Sequence, residues 1–158
     1  VAAPGKPELE LLRLMITAPR VGVREWARRA GIARGTAQAR IDRLQAAGVI
    51  TSYRPHLSAA ALGFPVTAYV HVYVTQDEVD GTVEQLAKIP ELLEANSLAG
   101  DADLLCRVVA RDNLHLESVL QRVIATRGVE RTRSEIVLNR RIEPRVVPFL
   151  DAVIRETD

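Results

Sequence analysis

The sequence predicts an α+β chain in two parts: an N-terminal winged helix-turn-helix, then a C-terminal ferredoxin-like βαββαβ sandwich. Three observations predict it. The stretch Gly31–Ile50, GIARGTAQARIDRLQAAGVI, has the glycine stop, the apolar stripe and the basic flank of a sharp turn leading into a second helix. Beyond Pro65 the apolar period changes to strict alternation in VTAYVHVYV, residues 66–74. The charge changes at the same place. Residues 1–60 carry ten basic and four acidic side chains, a balance of +6, whereas residues 61–158 carry 11 basic and 16 acidic, a balance of −5. A basic front and an acidic back imply two modules, 1–64 and 65–158, and a polyanion as partner of the first.

Composition narrows the classes. With 158 residues and 47% apolar side chains the chain can fill a core in one ordinary domain or two small ones. Cys106 is the only cysteine, which excludes a disulfide framework within the chain and a thiolate zinc site, and fits a reducing cytosol. No apolar run approaches the ~20 residues of a membrane span, and the N-terminus lacks a signal-peptide core. A cytoplasmic chain with no membrane partner is expected. Val1 in place of Met fits a trimmed start or a non-standard initiation codon translated literally.

In the front module, 1–7 (VAAPGKP) is expected to be a loose lead-in. Glu8–Ala18 predicts the first helix, with Leu12, Met15 and Ile16 on its apolar side and Pro19 closing it. Val23–Ala30 predicts the second, with Trp26, Ala27 and Ala30 facing inward and Trp26 acting as a core aromatic. Gly31 stands where that helix must stop, because glycine enters the left-handed region cheaply. In the next helix Ala37, Ile41 and Leu44 fall at i, i+4 and i+7, an inward stripe. Thr36, Arg40 and Arg43 repeat that spacing on one flank, and Gln38, Asp42 and Gln45 on the other, with Arg34 at the start. Such a helix is equipped to meet double-stranded DNA. Arg pairs bidentately with guanine and Gln with adenine, while Thr or further Arg hold phosphates. An ordinary amphipathic helix with a solvated basic face would carry the same pattern. Gly48 ends the helix, Val49-Ile50 starts the strand of a wing carrying Arg54, and 57–64 (LSAAALGF) predicts a short linking helix broken at Gly63.

In the back module the strand 66–74 puts Val and Ala on one face and Thr67, Tyr69, His71 and Tyr73 on the other. That second face is polar but uncharged, as if covered by a partner subunit. Glu78–Ile89 predicts a helix with Val79, Val83 and Leu86 inward, and Leu92–Leu98 a second strand. Gly100–Asp103 predicts a tight turn into a third strand over Leu104–Arg111. Asp112 is placed to cap a helix over Leu114–Arg127, stopped by Gly128. Thr132–Arg140 alternates again, and a short helix over Val147–Arg155 follows Pro144 and Pro148.

This order resembles the Lrp/AsnC (feast/famine) family of transcriptional regulators over nearly the whole chain. Two motifs carry the resemblance. ARGTAQARIDRLQAAGVI is similar to the family's recognition helix, with its Arg-Ile pair at Arg40-Ile41 and its Gly-Val-Ile ending at Gly48–Ile50. Ala99-Gly100-Asp101-Ala102-Asp103 is similar to the family's Gly-Asp-aromatic-Asp turn between the two central strands, with Ala102 where the aromatic usually stands. The resemblance implies DNA contacts at Arg34, Thr36, Gln38, Arg40 and Arg43. It implies a homodimer formed through the sheet, assembling in many members into an octamer. It also implies a small effector, commonly an amino acid, bound between back-half modules. The implied pocket is lined by Leu98, Ala99, Gly100, Asp101, Ala102 and Asp103, and by Thr132, Arg133 and Ser134. A glycine amide in the turn can take a carboxylate and Asp101 or Asp103 an ammonium. An Asx-stabilised turn without a ligand fits the same residues. A small residue at 102 would enlarge the pocket, change its specificity or abolish amino-acid binding.

Enzymatic readings find less support. There is no glycine-rich phosphate loop, HExxH or Gly-x-Ser-x-Gly, and His56, His71 and His115 are isolated in sequence. Cys106 between apolar neighbours reads as a buried small hydrophobe. No catalytic residue, metal ligand or cofactor is expected. Two alternatives remain: an Lrp-like decarboxylase of sirohaem-type tetrapyrroles, or a sensor module that does not bind DNA. Neither accounts for the basic, Thr/Gln/Arg-decorated helix.

Overall fold

The computed structural model describes residues 3–75 and 78–157. The elements are α1 (Lys6–Thr17), α2 (Val23–Arg29), α3 (Arg34–Ala46), β1 (Val66–Val74), α4 (Val79–Leu86), β2 (Leu92–Ser97), β3 (Leu104–Ala110), α5 (Asn113–Ile124), β4 (Val129–Ile136) and α6 (Val147–Glu156). Lys6 and Pro7 of the expected lead-in already belong to α1, where Pro7 sits in the first turn and sacrifices no hydrogen bond; residues 1–2 lie outside the described residues.

Two compact units result, Val1–Pro55 with Ile142–Asp158, and His56–Arg141. This differs from a division at 64/65 in two respects. The connector groups with the second unit, and α6 groups with the first. The cause of the latter is apolar. α6 buries Leu150, with Val153 and Ile154 beside it, against Leu9 and Leu12 of α1 and Leu44 of α3. Arg13 Nε donates to Asp151 Oδ1 at 2.6 Å on the rim of that contact. The rest of the first unit's core is Leu11, Met15, Trp26, Ala27, Ala37 and Ile41. Trp26 is buried as expected and donates Nε1–H to Ala18 O at 3.0 Å. Ile16, expected inward, is exposed, and Leu9 and Leu11 take that role.

In the second unit the sheet runs β2-β3-β1-β4, every neighbour antiparallel, with the βαββαβ connections expected. Ala68, Val70, Val72 and Val74 of β1 and Leu104, Cys106, Val108 and Ala110 of β3 meet Leu86 of α4 and Leu116, Val119 and Val123 of α5. Burial raises the Cys106 thiol to about 11, so it is held as the neutral thiol of a core residue. Asp112 caps α5 as predicted, accepting His115 N–H at 2.7 Å.

Three local expectations fail for identifiable reasons. No wing strand forms after α3, because Val49 and Ile50 both donate their amides to Leu44 O, at 2.9 and 3.2 Å, and Gly48 to Gln45 O. This is a Schellman closure around Gly48 at φ +71, and it consumes the donors a strand would need. Residues 57–64 make a hydrogen-bonded turn, not a helix: Leu62 N–H reaches Ser58 O at 3.1 Å, then Gly63 at φ +91 reverses the chain. So short a segment has too few bonds to sustain a helix. β4 covers Val129–Ile136, not 132–140, because the bond from Val137 N–H to Thr67 O is the last available before Pro65 ends the neighbouring edge. Leu138, expected on a strand face, is 97% exposed.

Candidate nucleic-acid interface and effector turn

The turn that sets up α3 follows from Gly31 at φ +66. Ile32 donates to Ala27 O at 3.0 Å, and its side chain packs against the first unit's core. The buried line of α3 is Ala37, Ile41 and Leu44, as its spacing predicts. Arg34, Thr36 and Gln38 are therefore displayed outward on its first two turns, all exposed. Ala33 gives no side-chain cap, so the first-turn amides of α3 stay open for a phosphate oxygen.

The five predicted contacts on α3 are not equivalent. Gln38 Nε2 donates to Asp42 Oδ1 at 2.8 Å, which orients its amide but also places a carboxylate on the displayed face. Arg40 is half-buried, with Nε 3.9 Å from Glu8 Oε1 of α1. Arg43 is exposed and donates Nη2–H to the same oxygen at 3.3 Å. Arg54 lies in the irregular stretch 51–58, exposed, without the strand expected to carry it. On α2, Arg28 grips Glu25 with two bonds of 2.8 and 2.7 Å and Arg29 adds one of 2.8 Å. These bonds, Arg28's first, hold the Glu25 carboxyl down at about 2. That network offsets part of the positive charge of α2.

The turn between β2 and β3 is closed by Leu98 N–H to Asp103 O at 2.9 Å and tied to β1 by Asp103 N–H to Val72 O at 3.2 Å. Its two aspartates already have partners. Asp103 Oδ2 accepts the amide of Val74 at 2.8 Å, and Asp101 Oδ2 accepts the Tyr73 hydroxyl at 2.6 Å. The hydrogen bond to Asp101, with desolvation, raises the Tyr73 phenol against the opposing charge of Arg131. Arg131 stacks over the Tyr73 ring at 3.7 Å and stands 3.9 Å from Asp101. Tyr73 and Arg131 were missed in the sequence. Alternation placed Tyr73 on the open face, but only the register, which sets Tyr73 opposite Arg131, joins them to the turn.

Register also sorts the other expected lining residues. Thr132 and Ser134 pair with Val72 and Val70, whose side chains enter the core, so both lie on the helix-covered face. Arg133 pairs with His71 on the opposite, open face, where its Nη2 is 3.3 Å from His71 Nε2 and 3.3 Å from Glu135. Leu98, Ala99, Gly100 and Asp101 form an exposed rim, and among the described residues the amides of Ala99 and Gly100 make no backbone hydrogen bond. Ala102 is 4% exposed. The position where the resemblance places an aromatic is therefore buried, unlike the exposed residues 98–101 beside it. Asp103→Ala should cost about 1–2 kcal/mol, because it orphans the amide of buried Val74 while the half-exposed turn admits some water. Urea unfolding should show the loss, with Asp103→Asn recovering most of it and Asp101→Ala near neutral.

Residues 67–147 match the family model of the Lrp/AsnC ligand binding domain, and residues 6–51 that of a winged helix-turn-helix DNA-binding domain. The chain is 32% identical over 130 residues to the HTH-type transcriptional regulator LrpA of Mycobacterium tuberculosis, covering 82% of this chain and 86% of that one. Its fold is similar to that of Escherichia coli AsnC, with a TM-score of 0.85 at 21% identity, over 93% of this chain and 100% of that one. It is also similar to a feast or famine regulatory protein of M. tuberculosis complexed with L-methionine, with a TM-score of 0.82 at 30% identity, over 90% and 97% of the two chains.

Proposed function

Because the chain belongs to the Lrp/AsnC family of transcriptional regulators, we propose that it reads operator DNA with α3 of a homodimer, under the control of an amino acid or related metabolite. The observation that carries the DNA half is the split of α3 into a buried line, Ala37-Ile41-Leu44, and an outward Arg34, Thr36 and Gln38. N-terminal residues of a recognition helix meet base edges in the major groove, and a two-fold dimer sets two such helices about one DNA turn apart. Arg54 supplies a phosphate contact outside the base-reading set, whereas the guanidinium groups of Arg40 and Arg43 face Glu8 of α1. The protein acts in the cytoplasm and catalyses no reaction. Among the described residues no helix is long and apolar enough to cross a membrane.

The effector half is supported by the rim at 98–101. The amides of Ala99 and Gly100, without a backbone partner among the described residues, suit a carboxylate, and Oδ1 of the exposed Asp101, the oxygen that does not accept the Tyr73 hydroxyl, suits an ammonium, the two charged ends of an amino acid. L-Methionine in the similar feast or famine regulatory protein makes amino acids the first class to test. The effector acts by changing how dimers associate, up to an octamer, and so the spacing of the α3 helices. Sedimentation velocity and duplex binding with each common amino acid should find at least one that shifts both assembly size and DNA affinity. If none moves either quantity, the effector half is wrong.

A further inference from the structure

Two arginines of α3 share one carboxylate oxygen. Glu8, in the first turn of α1, places Oε1 3.3 Å from Arg43 Nη2 and 3.9 Å from Arg40 Nε. The first is a weak hydrogen bond and the second a Coulombic contact only. The Glu8 and Arg40 side chains retain 20% and 21% of their exposure, whereas Arg43 retains 70%. Packing fixes the anion in place. Leu9 and Leu12 of α1 are buried against Leu44 of α3, and Leu11 lies with Ala37 and Ile41. A partly buried carboxylate so held acts on both cations through a lower dielectric than a free surface charge would. Its setting differs from that of Glu10, two residues on, which is exposed and forms no ion pair among the described residues.

We propose that Glu8 is a positioning residue of α3, holding Arg40 and Arg43 back from the DNA backbone so that sequence-independent affinity stays low. This rests on α3 being the DNA-reading helix. Phosphate contacts supply affinity without sequence information, and base contacts supply the preference. A carboxylate that occupies two guanidinium groups beside the base-reading residues shifts that balance toward preference. When Glu8 is neutralised, Arg43 swings out on its long stem, and Arg40 loses the charge that draws it toward α1.

The test measures affinity for a preferred and a scrambled duplex across a salt series with the full chain. Each additional phosphate neutralised steepens log Kobs against log salt by about 0.9. Glu8→Gln should steepen the scrambled-duplex slope by about 1–2, one unit per arginine released, tighten scrambled binding a few-fold and narrow the preference. Glu10→Gln, which removes the same charge from the same helix, should leave slope and preference as in the parent. Should Glu8→Gln fail to fold by circular dichroism, Glu8→Asp keeps the charge in the first turn but shortens its reach, and should move the slope the same way by less. A parental slope in the Glu8 variants, or an equal change in Glu10→Gln, overturns the proposal. A parent protein that binds no duplex at low salt removes the DNA role of α3, and the proposal with it.

Discussion

Gly128→Ala is expected to destabilise the sheet-bearing unit by about 2–5 kcal/mol, for two separable reasons. Gly128 adopts φ +87, where a side chain costs about 1–2 kcal/mol. A Cβ built there would also overlap Thr82 Oγ1, with Glu78 atoms at 3.1 and 3.3 Å. Thr82 is 1% exposed and donates to Arg127 O at 3.0 Å, so it cannot move aside without breaking that bond or displacing α4. Overpacking of this kind costs about 1–3 kcal/mol. Urea unfolding of three variants separates the contributions. Gly48→Ala meets the positive φ of +71 with nothing within 4 Å, and should lose only the conformational part. Gly100→Ala has neither obstacle and should be near neutral.

Arg34→Ala combined with Gln38→Ala is expected to erase preference at two base pairs, about 2–6 kcal/mol in all. Each bidentate base contact discriminates by about 1–3 kcal/mol, and the two residues stand one helical turn apart on the displayed face of α3. The change should fall on the preferred duplex and leave scrambled DNA nearly as before, apart from the lost charge of Arg34. Arg40→Ala should behave differently. Its guanidinium is drawn toward Glu8, so its loss should alter affinity for all sequences alike and by less. Competition binding against single-base operator variants distinguishes the two patterns.

What was legible in the sequence was what periodicity and punctuation encode. The 66–74 alternation named every residue of β1 and its buried face, and the 37-41-44 stripe named the buried line of α3. Asp112 announced its own cap, and Gly31 and Gly48 stand at positive φ where the helices were expected to end. What was hidden depended on pairing between distant segments. α6 has an apolar face, but nothing local says that it closes over Leu9, Leu12 and Leu44. Val49-Ile50 carries strand propensity, yet its amides close the helix before it. At the effector turn the residue types were visible. Their allegiance was not: Asp103 serves Val74, Asp101 serves Tyr73, and Ala102 is buried. The same holds for Glu8, an unremarkable first-turn acid until α1 is laid against α3.

Whether α3 reads sequence is decided by binding of the purified chain to the DNA upstream of its own gene. The companion is a scrambled duplex of equal composition, with both titrated across a salt series. Tighter binding to the upstream duplex at every salt concentration, with both affinities falling as salt rises, is the expected result. Equal weak binding to the two duplexes would make α3 a basic surface without readout, and absence of binding at low salt would contradict its DNA role altogether.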